Sequence, residues 1–174
     1  MSSNPHNHRD VVSVRCVVLT ISDTRTTETD GSGALIRETL GSAGQTVVGY
    51  EILPDEPGRI TKRVEYWCDR GECDALILTG GTGLARRDTT FEAVSQLLAK
   101  TLDGFGELFR MLSYQEIGAA AMLSRAVGGV RGSTVVFCLP GSTAAVRLAM
   151  DKLIVPQLGH IVGLLRSDTG RDLA

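Results

Sequence analysis

The sequence predicts a three-layer α/β sandwich with a mostly parallel central sheet. Short apolar runs rich in β-branched residues alternate along the chain with segments whose apolar residues recur at helical spacing. Runs that are apolar at nearly every position are typical of strands covered by helices on both faces. The third observation is that polar and glycine-rich loops follow the strands. Ligands in this fold class bind beyond the carboxyl ends of the strands.

The chain of 174 residues predicts one domain over residues 13–167, with residues 1–12 as a disordered tail and residues 168–174 as a flexible C-terminal tail. A net charge of −2 argues against nucleic acid as a partner, because duplex binding usually needs a broad basic face. No uninterrupted apolar segment has the length of a membrane span, and the first residues lack the apolar stretch of a secretion signal. We therefore expect a cytoplasmic protein whose four cysteines are reduced thiols.

The first half of the chain contains three strand patterns, over residues 13–21, 46–53 and 75–78. After the first strand, Leu35, Ile36 and Leu40 lie on one helical face. Asp30 or Ser32 suits the start of that helix, because a short oxygen-bearing side chain accepts hydrogen bonds from free backbone N–H groups. Helices also follow the second strand, with apolar residues 60, 64, 67 and 68, and the third, with apolar residues 91, 94, 97 and 98.

The second half of the chain is less regular. Glycines within residues 104–110 predict a bend before a short helix, and residues 113–127 predict a helix that is broken at Gly118 and followed by a turn at Gly128-Gly129. A fourth strand is predicted over residues 133–139. Two helices end the chain, and Pro156 separates them because proline lacks a backbone hydrogen-bond donor.

The segment after the third strand has the composition of an anion-binding loop. Gly80, Gly81 and Gly83 surround Thr82, and glycines let backbone N–H groups approach a ligand closely. The spacing matches neither of the common nucleotide motifs, GxGxxG and GxxxxGK[ST]. A tight turn from strand to helix, without a ligand, explains these glycines equally well.

Two carboxylates, Asp55 and Asp88, lie at the ends of what we predict to be neighbouring strands, beside this glycine loop. They suggest Mg²⁺, which proteins hold with one or two carboxylates and substrate phosphates. The alternative is that Asp55 is a turn residue and Asp88 a helix N-cap. Four arginines could pair with phosphate oxygens: Arg86, Arg87, Arg125 and Arg131. The residues by themselves predict a protein that binds a small anionic molecule, with magnesium as a candidate metal.

Nine ordered motifs resemble the MoaB/MogA family of molybdenum cofactor biosynthesis proteins. They are LTISDT (19–24), DGSG (30–33), LPDE (53–56), LTGGTG (78–83), RDTTFEA (87–93), GFGELFR (104–110), MLSRA (122–126), GVRGST (129–134) and LPGS (139–142). The resemblance covers nearly the whole chain from about residue 13 to residue 165. The sequence TFEA stands where MogA-like members have TPEA, which together with GFGELFR places the chain closer to the MoaB branch.

The resemblance implies a MogA/MoaB-like molybdopterin-binding fold and, in active members, a nucleotidyltransferase that adenylylates molybdopterin with Mg-ATP and releases pyrophosphate. It implies that Asp55 and Asp88 are catalytic and are candidate metal ligands. It implies substrate or nucleotide contacts at Ser22, Asp23, Asp30, Ser32, Gly80, Gly81, Thr82, Gly83, Arg87, Glu92, Ser124, Arg125, Pro140, Gly141 and Ser142.

Similar proteins are homotrimers, and some pair into hexamers, so the resemblance also implies self-association. Two other interpretations stay open. One is a non-catalytic protein of the same fold that binds or carries molybdopterin without using ATP. The other is a flavodoxin-like protein that binds a nucleotide or a sugar phosphate.

Overall fold

The structure, a computed structural model, describes residues 13–169. The strands are β1 (Arg15–Ile21), β2 (Thr46–Leu53), β3 (Ala75–Thr79), β4 (Lys100–Thr101), β5 (Val127–Arg131) and β6 (Thr134–Leu139). The helices are α1 (Gly31–Ser42), α2 (Pro57–Asp69), α3 (Thr90–Ser95), α4 (Asp103–Ile117), α5 (Thr143–Ala149) and α6 (Val155–Thr169). The tail predicted at residues 1–12 lies outside the described residues, as does residue 170 onward in the second predicted tail.

The six strands form one sheet in the order β2-β1-β3-β6-β5-β4. The four strands predicted from sequence, β1, β2, β3 and β6, run parallel. At one edge β5 pairs antiparallel with β6, and β4 pairs antiparallel with β5. The prediction of a mostly parallel sheet is therefore confirmed. Strand β1 lies between β2 and β3, so the prediction that Asp55 and Asp88 follow neighbouring strands is wrong. Strands β2 and β3 are consecutive in the chain, but they lie on opposite sides of β1 in the sheet.

Helices cover both faces of the sheet, which gives the predicted three layers. On one face, α1, α4, α5 and α6 pack on alternate residues of the strands, such as Val18, Ile77 and Phe137. On the other face, α2 and α3 pack on the intervening residues, such as Leu19 and Leu78. All five residues of β3 are buried, which agrees with the apolar run at this position. Burial of each large aliphatic side chain contributes about 1.5–3 kcal/mol.

Glycines misled the prediction in the second half of the chain. Gly128 and Gly129 lie inside strand β5 rather than in a turn. A Cβ on Gly128 would press against the rings of Phe137 and Phe105, and one on Gly129 would collide with the carbonyl oxygen of Lys100. Glycine is used there because neighbouring groups leave no room for a side chain. The short helix predicted after residue 104 is also wrong, because α4 has 15 residues.

Two helix boundaries depend on local backbone geometry. The break predicted at Gly118 is confirmed: its φ is 62°, and it caps α4. Pro156 does not separate two helices. Residues 143–169 form one helical run, with a π-helical segment from Met150 to Ile154 just before the proline. In a π-helical turn each backbone N–H bonds to the carbonyl oxygen five residues earlier. This change in the hydrogen-bond pattern comes just before Pro156, which lacks an N–H, and the helix continues through the proline.

Part of this run, Thr143–Asp168, has 26 residues and contains an 18-residue window with a mean hydropathy of 1.3, so it could cross a membrane by length and composition alone. Its apolar stripe is used inside the fold. Val146, Met150, Ile154 and Leu158 are all fully buried against the sheet and the other helices of that face. A packed core helix passes the same test of length and composition, so this feature is weak evidence for a membrane span.

A buried carboxylate fixes the last helix to the amino end of the sheet. Asp74, just before β3, accepts hydrogen bonds from Arg15 at 2.9 Å and from Arg166 of α6 at 2.8 Å. Burial by itself would raise the pKa of Asp74, but these hydrogen bonds outweigh it and lower the pKa. The cluster lies at the edge of the sheet opposite the glycine loop.

Candidate functional site

The glycine loop lies at the carboxyl edge of the sheet, between the ends of β1 and β6. Gly80 and Gly81 have φ angles of 101° and 62°, which residues with a side chain rarely adopt. Gly80 donates its N–H to the carbonyl oxygen of Leu139 at 3.1 Å. A Cβ on Gly141 would lie 3.2 Å from Cα of Gly80. The loop therefore packs directly against the Pro140-Gly141-Ser142 loop.

Asp55 reaches this loop from the end of β2. Its Oδ1 accepts hydrogen bonds from the backbone N–H and the hydroxyl of Thr89, at 3.3 and 2.9 Å. Its Oδ2 faces Gly81, where an added Cβ would collide with both this oxygen and Oγ1 of Thr90. One oxygen is thus held by donors from the protein, while the other lies beside the glycine loop.

Asp88 closes the loop on the other side. Its Oδ2 accepts a hydrogen bond from the N–H of Ala85 at 3.0 Å, and an added Cβ on Gly83 would lie 2.5 Å from that oxygen. The N-cap of α3 is Thr89, so the alternative of Asp88 as a helix N-cap is wrong. Asp88 instead stabilises the turn over residues 85–88.

The pKa of Asp55 is raised, first by burial and then by the negative charges of Asp88 and Asp23. The hydrogen bonds from Thr89 oppose this shift without cancelling it. Asp23 also accepts a hydrogen bond from the backbone N–H of Asp55 at 3.3 Å. Two carboxylates from other loops therefore act on Asp55 at this edge, and a bound cation would relieve the repulsion on Asp55.

An ion pair crosses the site from the first loop to the third. Arg87 donates to Oδ2 of Asp23. The Arg87 side chain is 71% exposed, so it is accessible to a ligand in solution. The pair links the loop after β1 to the loop after the neighbouring strand β3.

Arg125 is held against the glycine loop by three contacts. Its Nε donates to the carbonyl oxygen of Thr82 at 2.9 Å, and its two terminal nitrogens donate to Glu92 at 2.7 and 2.8 Å. Its guanidinium also lies 4.6 Å from the centre of the Phe91 ring. Phe91 is the residue at which the TFEA sequence departs from TPEA. Hydrogen bonding from Arg125 lowers the pKa of Glu92.

Asp30 is enclosed by protein donors. Its carboxylate accepts hydrogen bonds from the hydroxyls of Thr20 and Tyr50, at 2.6 and 2.7 Å, and from the N–H of Gly33 at 2.9 Å. The prediction that it caps α1 is confirmed. Burial would raise the pKa of Asp30, but these donors lower it, and the pKa of Tyr50 rises to about 12 through burial and its bond to Asp30. The geometry of Asp30 is that of a structural carboxylate.

Three predicted contact serines also have partners inside the fold. The hydroxyl of Ser32 donates to the carbonyl oxygen of Gly141 at 2.8 Å, which fixes α1 to the loop after β6. Ser142 is the N-cap of α5 and accepts from the N–H of Ala145. Ser22 accepts from two backbone N–H groups of its own turn. These hydroxyls shape the loops that surround the site.

Ser124 is a half-buried neighbour of Arg125, and its backbone N–H donates to the carbonyl oxygen of Ala121.

Arg131 is not brought to the site. It lies at the far end of β5 and pairs with Asp69 and Glu65.

An open cleft of about 580 Å³ lies next to the site, lined by residues of the segments 22–28 and 50–54. Of the predicted contact residues, it includes Ser22 and Asp23.

Comparison with known proteins identifies the family. Residues 17–160 match the family described as "Probable molybdopterin binding domain". The chain is 54% identical to molybdenum cofactor biosynthesis protein B of Bacillus anthracis over 162 residues, which covers 92% of this chain and 96% of that one.

This chain belongs to the MoaB/MogA family.

A crystal structure of a molybdenum cofactor biosynthesis protein B superposes with a TM-score of 0.89 at 53% identity, covering 91% of this chain and 99% of that one. A MogA structure superposes with a TM-score of 0.79 at 25% identity, covering 87% and 99%. The higher identity to protein B confirms the MoaB branch that the TFEA sequence indicated. The protein is therefore a MoaB-type molybdenum cofactor biosynthesis protein.

The donor set of this MoaB-type protein suits magnesium. Asp55 and Asp88 supply carboxylate oxygens, and Mg²⁺ takes its other ligands from phosphates and water. Within residues 13–169, no group of three or more acidic, histidine or cysteine side chains is arranged as a metal site.

Sequence reasoning missed the two threonines that surround Asp55. Thr89 orients the carboxylate. Thr90 is fully buried, and its Oγ1 is the one buried side-chain oxygen or nitrogen atom without a hydrogen-bond partner in the described part of the chain. Such an atom costs about 1–3 kcal/mol. Both residues lie in the quoted motif RDTTFEA, so the motif marked the segment, but threonine is too common to indicate a role by itself.

Proposed function

We propose that this protein binds molybdopterin at the carboxyl edge of the sheet and adenylylates its phosphate with Mg-ATP. The observation that carries the proposal is the position of Asp55. One carboxylate oxygen is held by Thr89, and the other faces Gly81 of the glycine loop. Family membership supports the ligand, because the matched domain is described by molybdopterin binding.

In the proposed reaction, an oxygen of the molybdopterin phosphate attacks the α-phosphorus of ATP. A new P–O bond forms, and the bond from the α-phosphorus to the bridging oxygen breaks, so that pyrophosphate leaves with the electron pair. Such a transfer depends on positioning and charge neutralisation more than on a nucleophile from the protein. This requirement fits a site built from loops, carboxylates and backbone donors.

Each group at the site has a role in this reaction. The N–H groups of Gly81, Thr82 and Gly83 are candidate donors to phosphate oxygens, because glycines let the backbone approach an anion. Asp55 and Asp88 would hold Mg²⁺, which neutralises charge on the phosphates when bound. Arg87 is exposed and would exchange Asp23 for a phosphate oxygen.

The experiment is to measure pyrophosphate release after molybdopterin, ATP and Mg²⁺ are mixed with the full chain. We expect release by the wild type, and a loss of about 10²–10³-fold in Asp55→Ala and Asp88→Ala, the scale for removal of one electrostatic contact in a transition state. Asp69→Asn is the control, because Asp69 is exposed and pairs with Arg131 away from the site. Circular dichroism checks that each variant keeps its fold.

The second candidate is a protein that binds or carries molybdopterin without using ATP. It is favoured by the number of predicted contacts that have structural partners, such as Asp30 and Ser32. Tight molybdopterin binding without pyrophosphate release from the wild type would support the carrier and overturn the enzyme. Absence of molybdopterin binding would overturn both and favour a protein for another phosphorylated ligand.

We also propose that the protein self-associates, as the resemblance to trimeric relatives implied. Leu108, Met111, Tyr114 and Ile117 recur every third residue on α4 and are 46–64% exposed. Met122, which is 81% exposed, follows them in the chain. Exposed apolar residues in this density are typical of protein interfaces.

Analytical ultracentrifugation should give a trimer or hexamer for the wild type and a smaller species for the double variant Met111→Glu/Ile117→Glu. Leu164→Glu, at an exposed leucine of α6, is the control.

A further inference from the structure

Each of the three guanidinium nitrogens of Arg125 donates a hydrogen bond within the protein. The Nε contacts the glycine loop, and both terminal nitrogens contact the same carboxylate, that of Glu92. The face of the group lies over Phe91. A guanidinium in a bidentate pair has a fixed orientation, because its planar donors match the two carboxylate oxygens. Stacking on an aromatic ring fixes the plane further.

These contacts join three separate segments around the site. Thr82 is the buried centre of the glycine loop, Glu92 lies in the first turn of α3, and Arg125 directly follows Ser124. Arg125 therefore links the loop to Ser124, and it adds to the hydrogen bond from the N–H of Thr90 to the carbonyl oxygen of Gly81 at 2.9 Å that already joins the loop to α3. We refer to Thr82, Phe91, Glu92 and Arg125 as the arginine clasp.

We infer that Arg125 is a positioning residue that holds the glycine loop and Ser124 in place for the ligand, and that it does not itself bind the ligand's phosphate. The carboxylate of Glu92 neutralises its charge, so a phosphate would have to displace a bidentate partner. The N–H groups of the loop remain the donors for the anion. The inference deepens the proposed function and rests on molybdopterin binding at this loop.

The Glu92→Gln variant separates positioning from direct contact by the sign of its effect. If Arg125 binds the phosphate, removing the competing charge of Glu92 frees the guanidinium, and molybdopterin binds more tightly. If Arg125 is a positioning residue, glutamine cannot accept both hydrogen bonds, the clasp loosens, and molybdopterin binds less tightly. Arg125→Lys gives a second distinction, because lysine keeps the charge but cannot make the planar pair.

The first measurement is the dissociation constant for molybdopterin, by titration of the full chain without ATP. We expect an increase of about tenfold in Glu92→Gln and a similar increase in Arg125→Lys, the scale for loss of one hydrogen bond to a charged group. Asp69→Asn is the matched control. Arg131 pairs with Asp69 through two nitrogens, its side chain is 24% exposed like that of Arg125, and the pair is remote from the loop.

The second measurement needs no ligand: amide hydrogen exchange over residues 79–84 in the free protein. We expect faster exchange in both clasp variants and no change in Asp69→Asn. An unchanged or smaller dissociation constant in Glu92→Gln would overturn the inference, and so would unchanged exchange. If the wild type binds no molybdopterin while the clasp variants exchange faster, the proposed function fails and the inferred support of the loop by Arg125 stands.

Discussion

Thr89 holds one oxygen of the Asp55 carboxylate with two donors, its hydroxyl at 2.9 Å and its backbone N–H at 3.3 Å. Asp55 follows strand β2, whereas Thr89 is the N-cap of α3. The contact joins two loops that are separated by a strand in the sheet. It also leaves the other carboxylate oxygen of Asp55 to face the glycine loop.

Removal of the Thr89 hydroxyl should reduce activity without loss of the fold. In Thr89→Val the side chain keeps its shape, but Asp55 loses its shorter hydrogen bond and becomes less well oriented. We expect pyrophosphate release to fall about tenfold, the scale of one hydrogen bond to a charged group. The control is Thr101→Val, because the Thr101 hydroxyl donates to Asp103 at 2.7 Å outside the site. Equal losses in the two variants would contradict a specific role for Thr89.

Gly81→Ala should abolish activity for a steric reason that can be separated from backbone strain. Gly81 has φ 62°, and a Cβ there would collide with Thr90 and Asp55. Gly132 has a similar φ of 58° but no atom within 4 Å of the added Cβ. Backbone strain should cost both alanine variants about 1–2 kcal/mol of unfolding free energy, measured by urea denaturation, and Gly81→Ala should lose more because its Cβ also collides with the buried Thr90. We expect only Gly81→Ala to lose pyrophosphate release, and an active Gly81→Ala protein would refute the assigned geometry.

The ionised form of Asp55 should destabilise the folded protein. Its pKa is raised by burial and by the nearby charges of Asp88 and Asp23, so the unfolded chain releases this proton at a lower pH than the folded chain does. The penalty is absent below the unfolded pKa and grows as pH rises toward the folded pKa. We therefore expect Asp55→Asn to raise the Tm at pH 7 and not at pH 3. A Tm at pH 7 below that of the wild type would show that this sign is wrong.

The raised pKa of Asp55 also has a consequence for catalysis. Because the ionised carboxylate is the form that holds a cation, pyrophosphate release should fall on acidification before an ordinary aspartate would become protonated. Carbon NMR of the Asp55 carboxyl group measures the pKa directly, without turnover. In Asp23→Asn one neighbouring negative charge is gone, so the pKa of Asp55 should decrease.

Asp74 should matter for stability and not for the site. Its side chain is 4% exposed and pairs with Arg15 and Arg166, so Asp74→Ala removes the carboxylate that accepts from both arginines and should cost about 3 kcal/mol. Because the pKa of Asp74 is lowered, this contribution is present above the unfolded pKa and is lost as pH falls through the folded pKa. Urea denaturation between pH 2 and pH 7 measures it. Glu72→Ala, in an exposed pair with Arg70, should leave stability nearly unchanged, because solvent screens exposed ion pairs. Molybdopterin affinity should be the same in both variants.

The sequence by itself determined the fold class and the four parallel strands. Strands such as β3 are buried along their whole length, so the hydrophobic effect leaves a local pattern that can be read without the structure. The ordered motifs determined the family. The chain also marked the correct loops, because carboxyl ends of parallel strands share one edge of a sheet.

Only the tertiary structure decided which atoms of those loops are available. Asp30 and Asp55 are both aspartates after strands, yet one carboxylate is enclosed by three donors and the other has an oxygen facing the glycine loop. Gly128 and Gly81 are both glycines, but one fits a strand between aromatic rings and the other leaves room for Asp55. These differences arise from contacts between residues far apart in the chain, which local composition does not specify. The same physical reason explains why Thr89 and Thr90 could be found only in the folded protein.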